Sequence, residues 1–278
     1  MKSRCRISLT LLCSALLLPV GASAREPLAT RVEHLVVSSA RASGLFEVFT
    51  RELQLPAVWP YSDYGSFQSG GVSLGNTVLE FSQGNEASAR FSGLALEPVL
   101  NAENLTEALP ERGIGSTGPQ PFSVNVDGKT LVLWTNVSLP GFEPRNATIF
   151  FCDYKDRKAV RKNRAQGARA LKAARGGVLG VLGVKLISLG VEDRAKAQRR
   201  WRQLASDVSA DLLRFSAGPP LRLTVVKQPG ILSLTLQVRS RAAAEKYLRA
   251  RGWLVRADEG GTLIAPWAIG GLRVRVEE

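Results

Sequence analysis

The sequence predicts an α+β protein of four βαβββ units, paired into two tandem domains of which the second is degenerate. Three observations point there. A strand, a helix and further strands recur with a period of roughly 50 residues, the mark of one supersecondary unit used repeatedly. The charge changes sign along the 278-residue chain: Arg25 to Asp153 carries 8 Lys and Arg against 14 Asp and Glu, whereas the remainder is strongly basic. A basic stretch, with 9 basic residues and 1 acid between Tyr154 and Gly177, separates the two halves. Such asymmetry marks a domain boundary. The expected division is therefore 25–154, a connector over 155–177, and 178–278.

The first segment stands apart from the fold. Met1 to Arg6 is basic, Ile7 to Val20 is apolar, and Ala22-Ser23-Ala24 closes the run with small residues. That order is a cleavable export signal over residues 1–24, which predicts a periplasmic or secreted protein with no stable membrane anchor. Cys5 and Cys13 leave with it. Cys152 then remains alone, so no internal disulfide is expected, and a chain of this length can bury a core without one.

The units follow in turn. Arg31 to Val37 has the β-branched and aliphatic content of a strand, Leu45 to Leu53 has helical spacing, and strands are expected over Gly71–Leu74 and Asn76–Ser82. Trp59, Tyr61 and Tyr64 fall in what reads as a loop between them. The second unit begins at Phe91–Leu96, continues through a helix over Ala102–Leu109, and ends in strands Pro121–Val126, Thr130–Val137 and Ala147–Tyr154. Beyond the connector, strand Leu182–Leu189, helix Val191–Leu204 and strands Leu212–Phe215 and Leu221–Val226 form the third unit. The fourth runs from Ile231–Val238 through helix Ala242–Arg251 to strands Trp253–Ala257, Thr262–Pro266 and Leu272–Val276.

The connector, Lys155 to Arg175, would attract phosphates, but it holds no aromatic ring to stack on bases. It reads as a solvated helix with a weak apolar stripe (Ala159, Ala165, Ala168, Leu171, Ala174), and no nucleic-acid partner is expected. Weak contact with anionic surfaces stays open for it.

A family resemblance rests on the order and spacing of several stretches. Val32-Glu33-His34-Leu35-Val36-Val37, the helix carrying Arg51-Glu52-Leu53-Gln54-Leu55-Pro56, then Ser69 to Phe81 and finally Thr148-Ile149-Phe150-Phe151-Cys152-Asp153-Tyr154 resemble the vicinal oxygen chelate superfamily. Within it they are most similar to the glyoxalase-like proteins. The resemblance is good from Val32 to Tyr154 and mainly topological from Val178 onwards. It implies a divalent metal (Zn, Fe, Mn or Ni) in a concave cup, held by residues on the first and last strands of each unit. On this sequence those positions fall on His34, Glu80 and Asp153, while Gly93 occupies the fourth and offers no side chain.

Strand alternation agrees for the first unit. His34 is expected to share a face with Val32 and Val36, and Glu80 with Val78. A buried imidazole and carboxylate need a partner, which a cation or their own hydrogen bond would supply. His34 is the single histidine of the chain. Tyr61, Tyr64 and Trp134 are candidate substrate contacts, with core packing as their alternative role. Position 184 (Val), Ser233 and Arg275 complete no ligand set in the second half.

Two functions follow. One is a metal-dependent lyase or isomerase that stabilises an enediolate on a small oxygenated substrate, with Glu80 as ligand or base. The other is a non-catalytic protein that sequesters a small molecule in the same cup, as bleomycin-resistance members of the superfamily do. Extradiol ring cleavage is excluded by the resemblance itself, since those enzymes place two histidines and a carboxylate on iron. No nucleophile elbow accompanies His34, which excludes serine or cysteine hydrolysis.

Overall fold

The computed structural model describes residues 26–142, 146–258 and 260–278, so the export signal expected over residues 1–24 lies outside the described residues. Among the described residues, sixteen strands form two sheets of eight. The first sheet holds β1 (Ala29–Ser39), β2 (Ala57–Asp63), β3 (Gln68–Ser73), β4 (Val78–Gln83), β5 (Arg90–Pro98), β6 (Gln120–Val126), β7 (Lys129–Ser138) and β8 (Thr148–Tyr154). Their spatial order is β2-β3-β4-β1-β5-β8-β7-β6. The second holds β9 (Val181–Val191), β10 (Asp207–Ser209), β11 (Leu212–Arg214), β12 (Leu221–Val225), β13 (Ile231–Val238), β14 (Leu254–Asp258), β15 (Gly261–Ile264) and β16 (Val274–Glu277). Its order, β10-β11-β12-β9-β13-β16-β15-β14, repeats that of the first.

Each sheet is two βαβββ units back to back. The first strand of a unit lies parallel to its last, as β1 does to β4 and β5 to β8, and the two first strands pair antiparallel at the centre. The crossover helices are α1 (Ala42–Glu47), which widens into a π turn over Val48–Glu52, α2 (Ala102–Glu111), α4 (Arg194–Trp201) and α5 (Arg241–Ala250). They cover one sheet face and bury the aliphatic rows. Leu35, Val37, Leu79, Phe81, Leu94, Leu96, Ile149 and Phe151 join the helix residues Leu45, Phe49, Leu105 and Leu109 in that core. The opposite face curves into a cup.

Two strands depart from the sequence reading. The segment taken as a loop around Trp59 and Tyr61 is strand β2, at the sheet edge, where the missing N–H of Pro60 removes no ladder bond. The short strand β10 lies in a stretch to which the sequence assigns no element.

The connector is helix α3 (Arg157–Ala173), capped by the Asp156 carboxylate, which accepts from Ala159 N–H at 2.8 Å. It is not simply solvated. Gly167 and Leu171 are buried, and the helix approaches β2 and β3 so closely that a Cβ on Gly167 would lie 3.1 Å from Val58. Among the described residues, no helix is long and apolar enough to cross a membrane.

Candidate functional site

The cup of the first sheet encloses a cavity of about 580 Å³. Its floor comes from the centre of the sheet. On β4 the alternation is unbroken, so Val78 and Glu80 face the cavity while Leu79 and Phe81 enter the core. On β1 it is broken. Val32 pairs with Leu96 and His34 with Ala95, which leaves Glu33 as an extra residue in a β-bulge. Glu33 and His34 therefore both face the cavity, whereas Val32 turns into the core, contrary to the face expected for it.

Five charged side chains interlock there. His34 Nδ1 is hydrogen-bonded to the Glu33 carboxylate, and His34 Nε2 lies 3.2 Å from Glu80 Oε2. The other Glu33 oxygen accepts from Arg164 at 3.2 Å, and Arg164 reaches Glu97 at 2.8 Å with its second terminal nitrogen. The Tyr154 hydroxyl donates to Glu33 at 3.3 Å. Arg164 comes from α3, so the helix between the domains supplies the cation that pairs with Glu33. Arg161, one turn earlier, pairs with Glu97 at 3.4 Å.

Burial opposes ionisation of Glu33, but the charge and hydrogen bond of His34, followed by those of Arg164, outweigh it and hold the carboxyl down at about 2. Burial likewise disfavours a charged His34. The Glu33 carboxylate overcomes this, with Glu80 adding to it, and raises the imidazole above its ordinary value. The Cys152 thiol and Tyr154 hydroxyl are both pushed well up, chiefly by burial, so neither is a ready nucleophile.

The walls are aromatic. Trp59 of β2 lies flat over Gly71, whose absent Cβ would fall 2.5 Å from three ring carbons. Tyr64 stacks on Phe67 at 5.1 Å between ring centres, and Phe67 meets Phe122 edge-on at 5.2 Å. Phe122 stacks on Trp134 at 4.2 Å. Phe67 follows β2, while Phe122 lies on β6 at the far edge of the same sheet. This contact therefore bridges the two rims across the mouth of the cup.

The residues singled out from sequence separate into two groups. His34, Glu80, Tyr64 and Trp134 all line the cavity. Tyr61 does not: the register shift between Trp59 and Ser62 turns it outward, where it packs on Phe46 and donates to Gln83 at 3.3 Å. Asp153 also faces away. On β8 the cavity side carries Phe150, Cys152 and Tyr154, so the next residue points to the helical side. There the Asp153 carboxylate accepts from Ala102 N–H at 2.8 Å, at the start of α2, and pairs with Arg157 at 2.6 Å.

This placement decides whether the side chains suit a divalent metal. Only His34 and Glu80 meet at the positions the resemblance assigns. The Gly93 position is filled by apolar atoms, since a Cβ there would lie 3.2 Å from Val36 and 3.4 Å from Phe150. Among the described residues, no group of three or more His, Cys, Asp or Glu side chains is arranged to hold a metal ion. The donor set does not fit one.

The sequence assigns no role to Glu33, Arg164, Phe67, Phe122 and Tyr154, whereas Trp59, which it groups with Tyr61 and Tyr64 as a ring at the edge of the cup, does line the cavity. For Glu33 one signal existed, a carboxylate beside the single histidine in an otherwise apolar strand. In the second sheet, Ser233 and Arg275 line a shallower polar basin, where Arg275 is clamped to Asp258 at 2.6 Å, whereas Val184 is buried in the core.

Two pairs of βαβββ units, each pair curled around a cup, define a tandem glyoxalase-like fold, and this chain has it. Solved structures agree in fold. A hypothetical protein from Staphylococcus aureus matches with a TM-score of 0.56 and 10% identity, covering 89% of this chain and 98% of its own. The 2,3-dioxygenase LapB from Pseudomonas sp. KL28 matches at 0.55 and 11%, covering 90% and 92%. The 3,4-dihydroxyphenylacetate complex of homoprotocatechuate 2,3-dioxygenase from Brevibacterium fuscum matches at 0.55 and 11%, covering 91% and 82%. No protein-family model matches the sequence. No curated protein matches it in sequence either.

Proposed function

We propose that this chain is an exported, glyoxalase-like protein that binds a flat, largely apolar small molecule in its N-terminal cup, without a metal and without turning it over. One observation carries this reading: the imidazole and carboxylate at the two metal-ligand positions are bonded to each other. They are also locked to Glu33 and Arg164, beneath walls made of aromatic rings. A closed network of this kind rigidifies a floor and offers no open coordination position for substrate oxygens. The rings offer a large, rigid contact surface at small entropic cost. Export rests on the basic, apolar and small-residue order of residues 1–24.

The test combines two measurements on purified protein. Quenching of Trp59 and Trp134 fluorescence by a panel of planar aromatic compounds should saturate, and Trp134→Ala should weaken binding at least tenfold. Metal analysis after exposure to Zn, Fe, Mn and Ni should find less than one stoichiometric ion. An ion bound one per chain and lost in His34→Ala would reverse the proposal in favour of a metal-dependent lyase or isomerase.

A further inference from the structure

We infer that the ligand of the N-terminal cup is an organic cation, an aromatic or flat apolar molecule carrying an ammonium group that seats against Glu80. This rests on the binding reading above and adds the charge of the ligand.

The argument is one of pairing. Two carboxylates, Glu33 and Glu80, face the cavity. Glu33 is fully engaged: His34 Nδ1, Arg164 and the Tyr154 hydroxyl all bond to it. Arg164 in turn has its two terminal nitrogens on Glu33 and Glu97, so its charge is neutralised within the floor. Glu80 is left with a share of one imidazole, through His34 Nε2 at 3.2 Å. It is also the more open of the two, at 15% side-chain exposure against 6% for Glu33. A ligand that fills the cup removes the remaining water from Glu80, and that is costly unless the ligand brings positive charge.

The surroundings favour the same charge. Tyr64, Phe67, Trp134 and Tyr154 line the cavity with Glu80, and ring faces attract cations within about 6 Å of their centres. The amide oxygen of Asn136, on the β7 wall, is buried and has no hydrogen-bond partner among the described residues. It calls for a donor, which an N–H group supplies. The Nε of Arg164 is also without a partner, but an anion placed there would sit beside the Glu33 and Glu97 carboxylates that hold the rest of that guanidinium. A neutral ligand would leave Glu80 and Asn136 less well satisfied than a cation does.

Three probes of similar shape test this by isothermal titration calorimetry on purified protein: (2-naphthylmethyl)ammonium, 2-naphthylmethanol and 2-naphthylacetate. The ammonium probe is expected to bind at least tenfold more tightly than the alcohol, and the acetate most weakly. Glu80→Gln should bring the ammonium and alcohol affinities together while leaving the alcohol's unchanged. Equal or tighter binding of alcohol or acetate, still abolished by Trp134→Ala, would overturn the cation assignment and leave the binding cup standing. No binding by any probe, or binding indifferent to Trp134→Ala, would overturn both. The wild-type ranking alone decides the question should Glu80→Gln fail to fold.

Discussion

His34 and Glu33 are neighbours in sequence and hydrogen-bonded through their side chains, because a bulge puts both on the concave face of β1. In a regular strand they would point to opposite faces. The bulge thus converts a dipeptide into a charge relay that runs from Glu80 through His34 and Glu33 to Arg164 and Glu97.

Removing the middle of that relay should be costly. Glu33→Ala leaves a buried guanidinium and imidazole short of a counter-charge, a change that typically destabilises by about 3–5 kcal/mol. Urea unfolding should show it. Adding Arg164→Met should recover part of the loss, as a double-mutant cycle would reveal.

Stability should also depend on pH in a defined direction. The Glu33 carboxyl is lowered from 4.5 to about 2, so its contribution is present above about 4.5 and lost as pH falls towards 2. The His34 imidazole is raised above 6.5, so its contribution is complete below that value and lost as pH rises through the folded-state pKa. Unfolding midpoints should therefore be highest between about 4.5 and 6.5, and His34→Gln should remove the decline on the alkaline side.

Asp153 should behave as a structural residue. Asp153→Ala takes the acceptor from the first turn of α2 and the partner from Arg157, at an expected cost of about 1–3 kcal/mol. Thermal melting should register this loss, while quenching titrations of Trp59 and Trp134 return wild-type affinity.

Gly71 should control the shape of the cup. A methyl group there collides with the Trp59 ring, so Gly71→Ala should lift that ring off β3 and into the cavity. The expected result is at least a tenfold loss of small-molecule affinity with little change in far-ultraviolet circular dichroism.

Much of this architecture was legible in the chain, and the failures have physical causes. The period of the units, the central strands and the shared face of Val78 and Glu80 all follow from local alternation, which β4 obeys. The bulge at Glu33 is created by pairing with β5, a partner some 60 residues away in sequence, and no local pattern announces it. On β8 both faces are apolar, since Ile149 and Phe151 alternate with Phe150 and Cys152, so nothing fixed which parity Asp153 would take. In β2 the irregular register around Pro60 hides the strand and separates Trp59 from Tyr61. The basic connector read as solvated because its partners, Glu33 and Glu97, lie more than 60 residues upstream.

That helical clamp determines where the molecule can be divided. A fragment ending at Tyr154 would keep all eight strands of the first sheet yet strand Glu33 and Glu97 without their guanidinium partners, so it should be acid-dependent or insoluble. One extended through Arg175 carries its own counter-charges. A charge-balanced first half is therefore longer than its sheet, and Arg157, Arg161 and Arg164 belong to the half that precedes them.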